Sequence, residues 1–206
     1  VGGKDYTWLV VHQGRPGRMY DASCNGTWLL MKDIYTDRKW HSSAKSNDYS
    51  GSSVHPYLNY TFLNLLESNI KNAIKQVKLP YRKGSGTSKT VTSGSNGLSA
   101  KIFLLSATET SFSFSYMPSG EGAELAYFKG CADNSSDSKR VAYLNGSAAN
   151  WWLRSPYCGH FSNNALYVSS DGGWFNYGCS YSYGIRPCMI LPPSTLVDDT
   201  GHIIAA

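Results

Sequence analysis

Three observations predict an α+β fold in which strands outweigh helix. The 206-residue chain carries 20 Gly, 15 Tyr and 6 Trp with only 16% charged residues, a turn-rich aromatic composition foreign to helical bundles. Only one stretch, Leu58 to Val77, repeats apolar residues at three- to four-residue spacing. Elsewhere the apolar residues stand in short β-branched or aromatic runs bounded by Gly, Pro and Asn. The length and a hydrophobic fraction of 41% suit one domain over residues 1–206 and argue against disorder.

Tyr6–Val11 and Thr27–Met31 read as two paired strands, because Gly14, Pro16 and Gly17 supply the turn geometry between them. The polar stretch from Trp40 to His55 reads as a surface loop. Leu58, Phe62, Leu65, Leu66, Ile70, Ile74 and Val77 form one apolar face, with Asn64, Lys71, Asn72 and Lys75 opposite. This predicts one amphipathic helix, or two divided at Ser68, ended by Pro80. Residues 83–99 are nearly all Gly, Ser, Thr, Lys or Asn and read as a flexible loop within the domain.

Lys101–Leu105 has the composition of a buried strand, and Phe112–Tyr116 alternates apolar with polar at a period of two. Ala123–Phe128 suits a helical turn, and Asp133–Ser138 a loop. From Trp151 to Leu191 the chain reads as a series of short aromatic strands. Adjacent strand residues face opposite ways, so at least one of Trp151 and Trp152 belongs to the core.

The net charge of +5 is spread along the chain, with no basic stripe interleaved with aromatics, which argues against nucleic acid as a partner. No apolar run approaches the ~18 residues of a membrane span, so membrane insertion is not expected. The opening Val1-Gly-Gly-Lys4 lacks the layout of a signal peptide and reads as a trimmed boundary. Cys24, Cys131, Cys158, Cys179 and Cys188 form no C-x-x-C pair or zinc spacing. They read as partly buried free thiols, and spacing leaves open a bridge between Cys158 and Cys179. His12, His41, His55, His160 and His202 are scattered, and none stands at metal-ligand spacing from another. The sequons at Asn25, Asn59, Asn134 and Asn145 arise freely in a chain so rich in Asn, Ser and Thr.

Leu58-Asn59, Phe62-Leu63, Val77–Tyr81, Ile102–Ser106, Trp151-Trp-Leu-Arg-Ser-Pro156, Asp171-Gly172 and Gly184-Ile-Arg-Pro187 together carry a resemblance over nearly the whole chain. The sequence resembles the WWLRSP…GIRP family of gut bacteria and their phages. That family is similar to the C-type-lectin-like fold shared by formylglycine-generating enzymes and by the variable proteins of diversity-generating retroelements. The resemblance implies two early helices and small sheets supporting an irregular, strand-rich C-terminal half. For a retroelement variable protein it also implies a C-terminal region rewritten at adenines, which leaves Trp, Lys, Glu, Gln and Met out of reach. Those five types occur once in the 27 residues from Tyr157 to Tyr183, at Trp174, against 27 times in the other 179.

Residues 157–183 are therefore the expected variable region and ligand-binding surface. The candidate contacts are Tyr157, Cys158, His160, Phe161, Asn164, Tyr167, Trp174, Phe175, Asn176, Tyr177 and Tyr181, with Tyr157, His160, Phe161, Tyr167, Phe175, Asn176, Tyr177 and Tyr181 expected mostly exposed on one face. A Tyr, Ser, Gly and Asn mixture also serves antibody loops, where Tyr gives a large contact at low entropy cost. Arg154 and Arg186 read as braces, since a guanidinium with five donors can tie loop carbonyls together. Asp171-Gly172-Gly173 reads as a turn, since Gly allows positive φ and Asp can bond the backbone two residues on; calcium is not expected, because it wants six to eight oxygens and the C-terminal half offers no lectin triplet.

A copper or thiol enzyme would have to use Cys158, Cys179 and Cys188, and no base stands beside them in the sequence. The expectation is a non-enzymatic receptor-binding module on a phage virion or bacterial cell surface, needing no cofactor and binding protein or glycan on a target cell. A non-diversified structural domain of the same fold is the alternative. The sequence does not indicate the oligomeric state.

Overall fold

The computed structural model describes residues 1–43, 46–197 and 203–205. It is an α+β fold, mostly sheet. The N-terminal strands β1 (Trp8–Gly14) and β2 (Gly26–Met31) pair antiparallel, as the two apolar runs predict. Strand β3 (Thr36–Lys39) follows.

A helical run over residues 54–65, α1, starts as a single α-turn, continues as a π-helical segment (Tyr57–Phe62) and closes in a 3-10 turn. A second helix, α2 (Ser68–Ala73), starts at the expected break. Ile74 lies beyond its end, and Val77 belongs to strand β4 (Val77–Leu79), which pairs with β5 (Leu98–Ala100). The helical spacing of the apolar residues thus persists past the point where Ile74 turns extended.

Next come β6 (Ile102–Phe103), the two-residue strands β7 (Tyr143–Leu144) and β8 (Ser147–Ala148), then β9 (Trp151–Pro156) and β10 (Asn164–Val168). Strands β11 (Trp174–Gly178), β12 (Ser182–Ile185) and β13 (Cys188–Leu191) complete the aromatic C-terminal part. One sheet has the order β1-β2-β13-β6 and the other β11-β10-β9-β12-β3, in which β9 and β12 run parallel. Leu196–Val197 and Ile203–Ala205 form a further strand pair.

Strand parity divides the core in two. Trp151, Leu153, Leu166 and Val168 pack with Trp28, Phe103, Phe112, Leu125 and Phe128, beneath the irregular 104–142 segment. Trp152, Ala165, Tyr167 and Ile185 pack with Val54, Leu58 and Phe62 of α1. Both tryptophans of the WWLRSP sequence are core residues, one on each side.

Three segments depart from expectation. Residues 40–55 are not merely a surface loop, because Trp40, Asn47, Tyr49, Ser52 and Val54 are buried. Trp40 Nε1 donates to the Leu153 carbonyl at 2.8 Å, so this polar segment closes over the sheet. Phe112–Tyr116 forms no strand: the chain turns at Ser111, whose φ is +68°, Phe112 lies under Arg140, and Phe114 stacks on Trp174. The 83–99 loop is anchored rather than free, through a Tyr81–Thr92 bridge, Gly86 on Asn47 and Ser88 on Cys158, and its last residues enter β5.

Candidate functional site

The strand beneath the site is fixed by buried charge. Arg154 and Glu109, both fully buried, form a two-pronged ion pair at 2.6 and 2.7 Å. Arg154 also donates to the carbonyls of Leu104 (3.0 Å), Glu121 (2.9 Å) and Pro80 (3.3 Å), which uses all five donors. Glu109 further accepts from the Tyr20 hydroxyl at 2.8 Å and the Ser106 amide at 2.8 Å. Ser155, the next residue of the motif, donates to Glu121 and accepts from the Ala107 amide. Burial raises the Glu121 carboxyl above its ordinary pKa, partly offset by Arg154.

Arg186 braces in the same way: its Nε donates to the Met31 carbonyl at 2.8 Å and its guanidinium lies over Trp151. Two further braces escaped the sequence reading. Arg140 holds the carbonyls of Thr110, Ser135, Gly172 and Ala132. Asn47 bonds Arg82 and the carbonyls of Tyr157 and Asn164. No sequence motif marks them, since each ties together segments as far apart as Arg140 and Gly172 or Asn47 and Asn164.

Upon this base the helix side of the second sheet carries a row of rings. Tyr183 pairs across β12–β3 with Arg38, whose guanidinium covers Tyr57 at 3.9 Å. Ring centroids then follow at 4.8 Å from Tyr183 to Trp152, 4.5 Å from Tyr183 to Tyr167 and 6.2 Å from Tyr167 to Phe175. Tyr177 joins Tyr181 at 4.4 Å, and a hydrogen bond between their hydroxyls raises the Tyr177 pKa. Within the row Trp152 and Tyr167 are buried and Tyr57 and Tyr183 half-buried, and it ends at the sheet edge, where Phe175 is 61%, Tyr181 55% and Tyr177 41% exposed.

The candidate contacts therefore separate. His160, Phe161, Phe175, Tyr177 and Tyr181 are exposed; Asn164, Trp174 and Asn176 are half-buried. Tyr157, Cys158 and Tyr167 are buried, which corrects their assignment as contact residues. Tyr167 turns inward with Ala165 on β10, and Tyr157 packs in the core on the other side of the sheet. Nor do the exposed residues share one face. Tyr116, Tyr157, His160 and Phe161 form a second ring group, continuous with the core beneath the 104–142 segment.

Asp171 forms the expected turn. Its Oδ1 accepts from the Gly173 amide, two residues on, at 3.0 Å, and its Oδ2 accepts from Ser136 at 2.6 Å. Gly172 has φ +85°, and a Cβ there would lie 2.0 Å from the Asp137 carbonyl oxygen, so only glycine fits. In the GIRP sequence, Gly184 likewise lies so close to Ile34 and the Asn150 carbonyl that a Cβ would clash.

The Ser136 and Ser169 hydroxyls hold the Asp171 pKa down from an ordinary 3.8 to about 2. Because the folded pKa is the lower one, the turn's contribution is complete above about 3.8 and is lost as pH falls toward 2. A carboxyl NMR titration is expected to find the Asp171 midpoint below those of the other exposed aspartates.

The five cysteines are free and buried, so the Cys158–Cys179 bridge does not form. Burial pushes the thiol pKa up to about 11 for Cys158 and about 12 for Cys179, which keeps both protonated at neutral pH. Cys179 and Cys188 lie on opposite sides of the core. Among the described residues no three His, Cys, Asp or Glu side chains gather as a metal site, and His202 lies outside them. A separate cleft of about 700 Å³ opens beside α1, lined in part by Ser50, His55, Asn59, Tyr60 and Lys101. It has neither a carboxylate nor a thiol in its lining.

These features define an α+β domain with an aromatic row rising from its core to a sheet edge. The chain belongs to the family described as a domain of unknown function (DUF6273), whose model matches residues 25–193. No curated protein and no solved structure matches it.

Proposed function

We propose that this chain is a ligand-binding display domain of C-type-lectin-like fold, borne on a phage virion or bacterial cell surface and directed at protein or glycan on a target cell. The observation that carries the reading is the exposed edge of the aromatic row. Phe175, Tyr177 and Tyr181 are exposed, while Trp152 and Tyr167 behind them are core residues. Rigid aromatics lose little entropy on binding and dominate interface energetics, and Asn176 beside them supplies adaptable hydrogen bonds. The exposed residues of the 157–183 segment are all types that adenine randomisation of asparagine codons reaches, which supports a diversified surface.

The buried protonated thiols and the cleft without an acid favour binding over catalysis. No metal takes part in this reading, so binding is expected to survive EDTA. The test is binding of the labelled protein to a glycan array and to intact gut bacteria. It compares the wild type with a Phe175→Ser, Tyr177→Ser, Tyr181→Ser triple variant. The reading expects the variant to fold normally and lose at least about tenfold in affinity for the target. Equal binding by the two proteins, or no binding by the wild type, would overturn it. A reverse transcriptase gene nearby, with a near-copy of codons 157–183 differing at adenines, is the expected genomic counterpart. Its absence would favour the non-diversified structural domain.

A further inference from the structure

Edge strands invite pairing, and natural sheets block it with charges, bulges, prolines or short length. Three of the four edges of the two larger sheets are blocked. Strand β3 carries Asp37, Arg38 and Lys39, β1 has a register shift between Val10 and His12, and β6 is two residues long. Strand β11, Trp-Phe-Asn-Tyr-Gly, is unblocked. It has five residues, no charge and no proline, and its register with β10 is unbroken.

The backbone shows which groups face outward. Cys179 N–H donates to the Asn163 carbonyl at 3.0 Å and Ser169 N–H to the Gly173 carbonyl at 2.8 Å, so these pairs are hydrogen-bonded. Bonded and non-bonded pairs alternate along an antiparallel ladder. The pairs 165/177 and 167/175 are then bonded inward, and Trp174, Asn176 and Gly178 direct their amide groups to the open edge. The Asn164 carbonyl, bonded to Tyr157 N–H on the far side of β10, follows the same alternation. Of the outward groups, only the Gly178 carbonyl has an internal donor among the described residues, Tyr181 N–H.

We propose that β11 pairs antiparallel with β11 of a second copy of this chain, about a two-fold axis through Asn176, joining two five-stranded sheets into one. The strand is self-complementary in that register. Asn176 exchanges both backbone bonds with the partner's Asn176, and Gly178 N–H donates to the carbonyl of the partner's Trp174, twice by symmetry. Phe175 falls in a non-bonded pair with the partner's Tyr177, where side chains approach most closely, and aromatic cross-strand pairs are stabilising. On the opposite face the Asn176 side chain is held within its own sheet, its Oδ1 accepting from Asn164 Nδ2 at 2.7 Å. The inference stands apart from the ligand reading: the dimer sets two aromatic rows side by side, whatever they bind.

Sedimentation velocity of the chain over a rising concentration series tests it. The expected result is a shift from 22.6 kDa to twice that mass. Asn176→Lys and Asn176→Asp each place like charges across the axis. Each is expected to remain monomeric and folded, and an equimolar mixture of the two is expected to dimerise. A wild type monomeric throughout, variants that dimerise as it does, or a mixture that stays monomeric would overturn the proposal. Hydrogen exchange on the unmodified protein is independent of variant folding. The Asn176 and Gly178 amides are expected to gain protection as concentration rises, and fast exchange at every concentration would contradict the pairing.

Discussion

Replacing Arg154 by Met is expected to destabilise the domain by about 3–5 kcal/mol, the largest loss from any single truncation of its polar groups. The substitution leaves the Glu109 carboxylate fully buried, with only the Tyr20 hydroxyl and the Ser106 amide to hold it. It also removes the donors that tie the carbonyls of Pro80, Leu104 and Glu121 to β9. At about 2–4 °C per kcal/mol for a domain of this size, the melting temperature should fall by roughly 6–20 °C. Pairing it with Glu109→Leu removes the stranded charge and should recover a large part of the loss, since a buried ion pair replaced whole costs far less than one broken. Thermal melts of the two variants check this. An Arg154→Met melt within a degree of wild type would mean that the ion pair does not hold the fold.

Trp152→Ala is expected to cost about 3–5 kcal/mol, whereas Tyr177→Ser or Phe161→Ser should stay within about 0.5–1 kcal/mol. The difference follows from position. Trp152 is fully buried among Tyr167, Tyr183 and the α1 residues, and its Nε1 donates to the Arg38 carbonyl at 3.1 Å. Removing it leaves a cavity that a β-sheet cannot collapse to fill. Phe161 is largely exposed, and Tyr177 is part-exposed against the exposed ring of Tyr181. Chemical denaturation of the three variants gives the comparison, and equal losses across them would make the 157–183 segment core rather than display surface.

The pattern of these expected effects reflects what a sequence can and cannot express. The β1–β2 pair was legible because β-branched runs flank a Gly- and Pro-rich turn, and the opposed burial of Trp151 and Trp152 because parity alternates in any strand. The break between α1 and α2 could be read at Ser68. Val77 was misleading because helical spacing and strand alternation coincide over a few residues, and only pairing with Ala100 decides between them. Phe112–Tyr116 alternates like a strand but finds no partner strand; Asn134 bonds the amide and carbonyl of Ser113 instead.

Composition concealed the role of the segment around Asn47, a buried side chain whose hydrogen bonds are completed by Arg82, Gly86, Tyr157 and Asn164. For the site, composition identified the aromatic segment but not which way each ring turns. Tyr167 and Phe175 are similar in type and directly paired, yet one lies under its neighbours and the other stands in solvent, because β11 is the sheet edge.

The most direct test of a rigid core bearing a replaceable surface is a saturation library over residues 157–183, selected for folding alone by protease resistance. The account predicts that His160, Phe161, Phe175, Tyr177 and Tyr181 accept most side chains. Tyr157, Cys158, Tyr167 and Gly172 should accept few or none. Uniform intolerance along the segment, or free substitution at the buried positions, would contradict it.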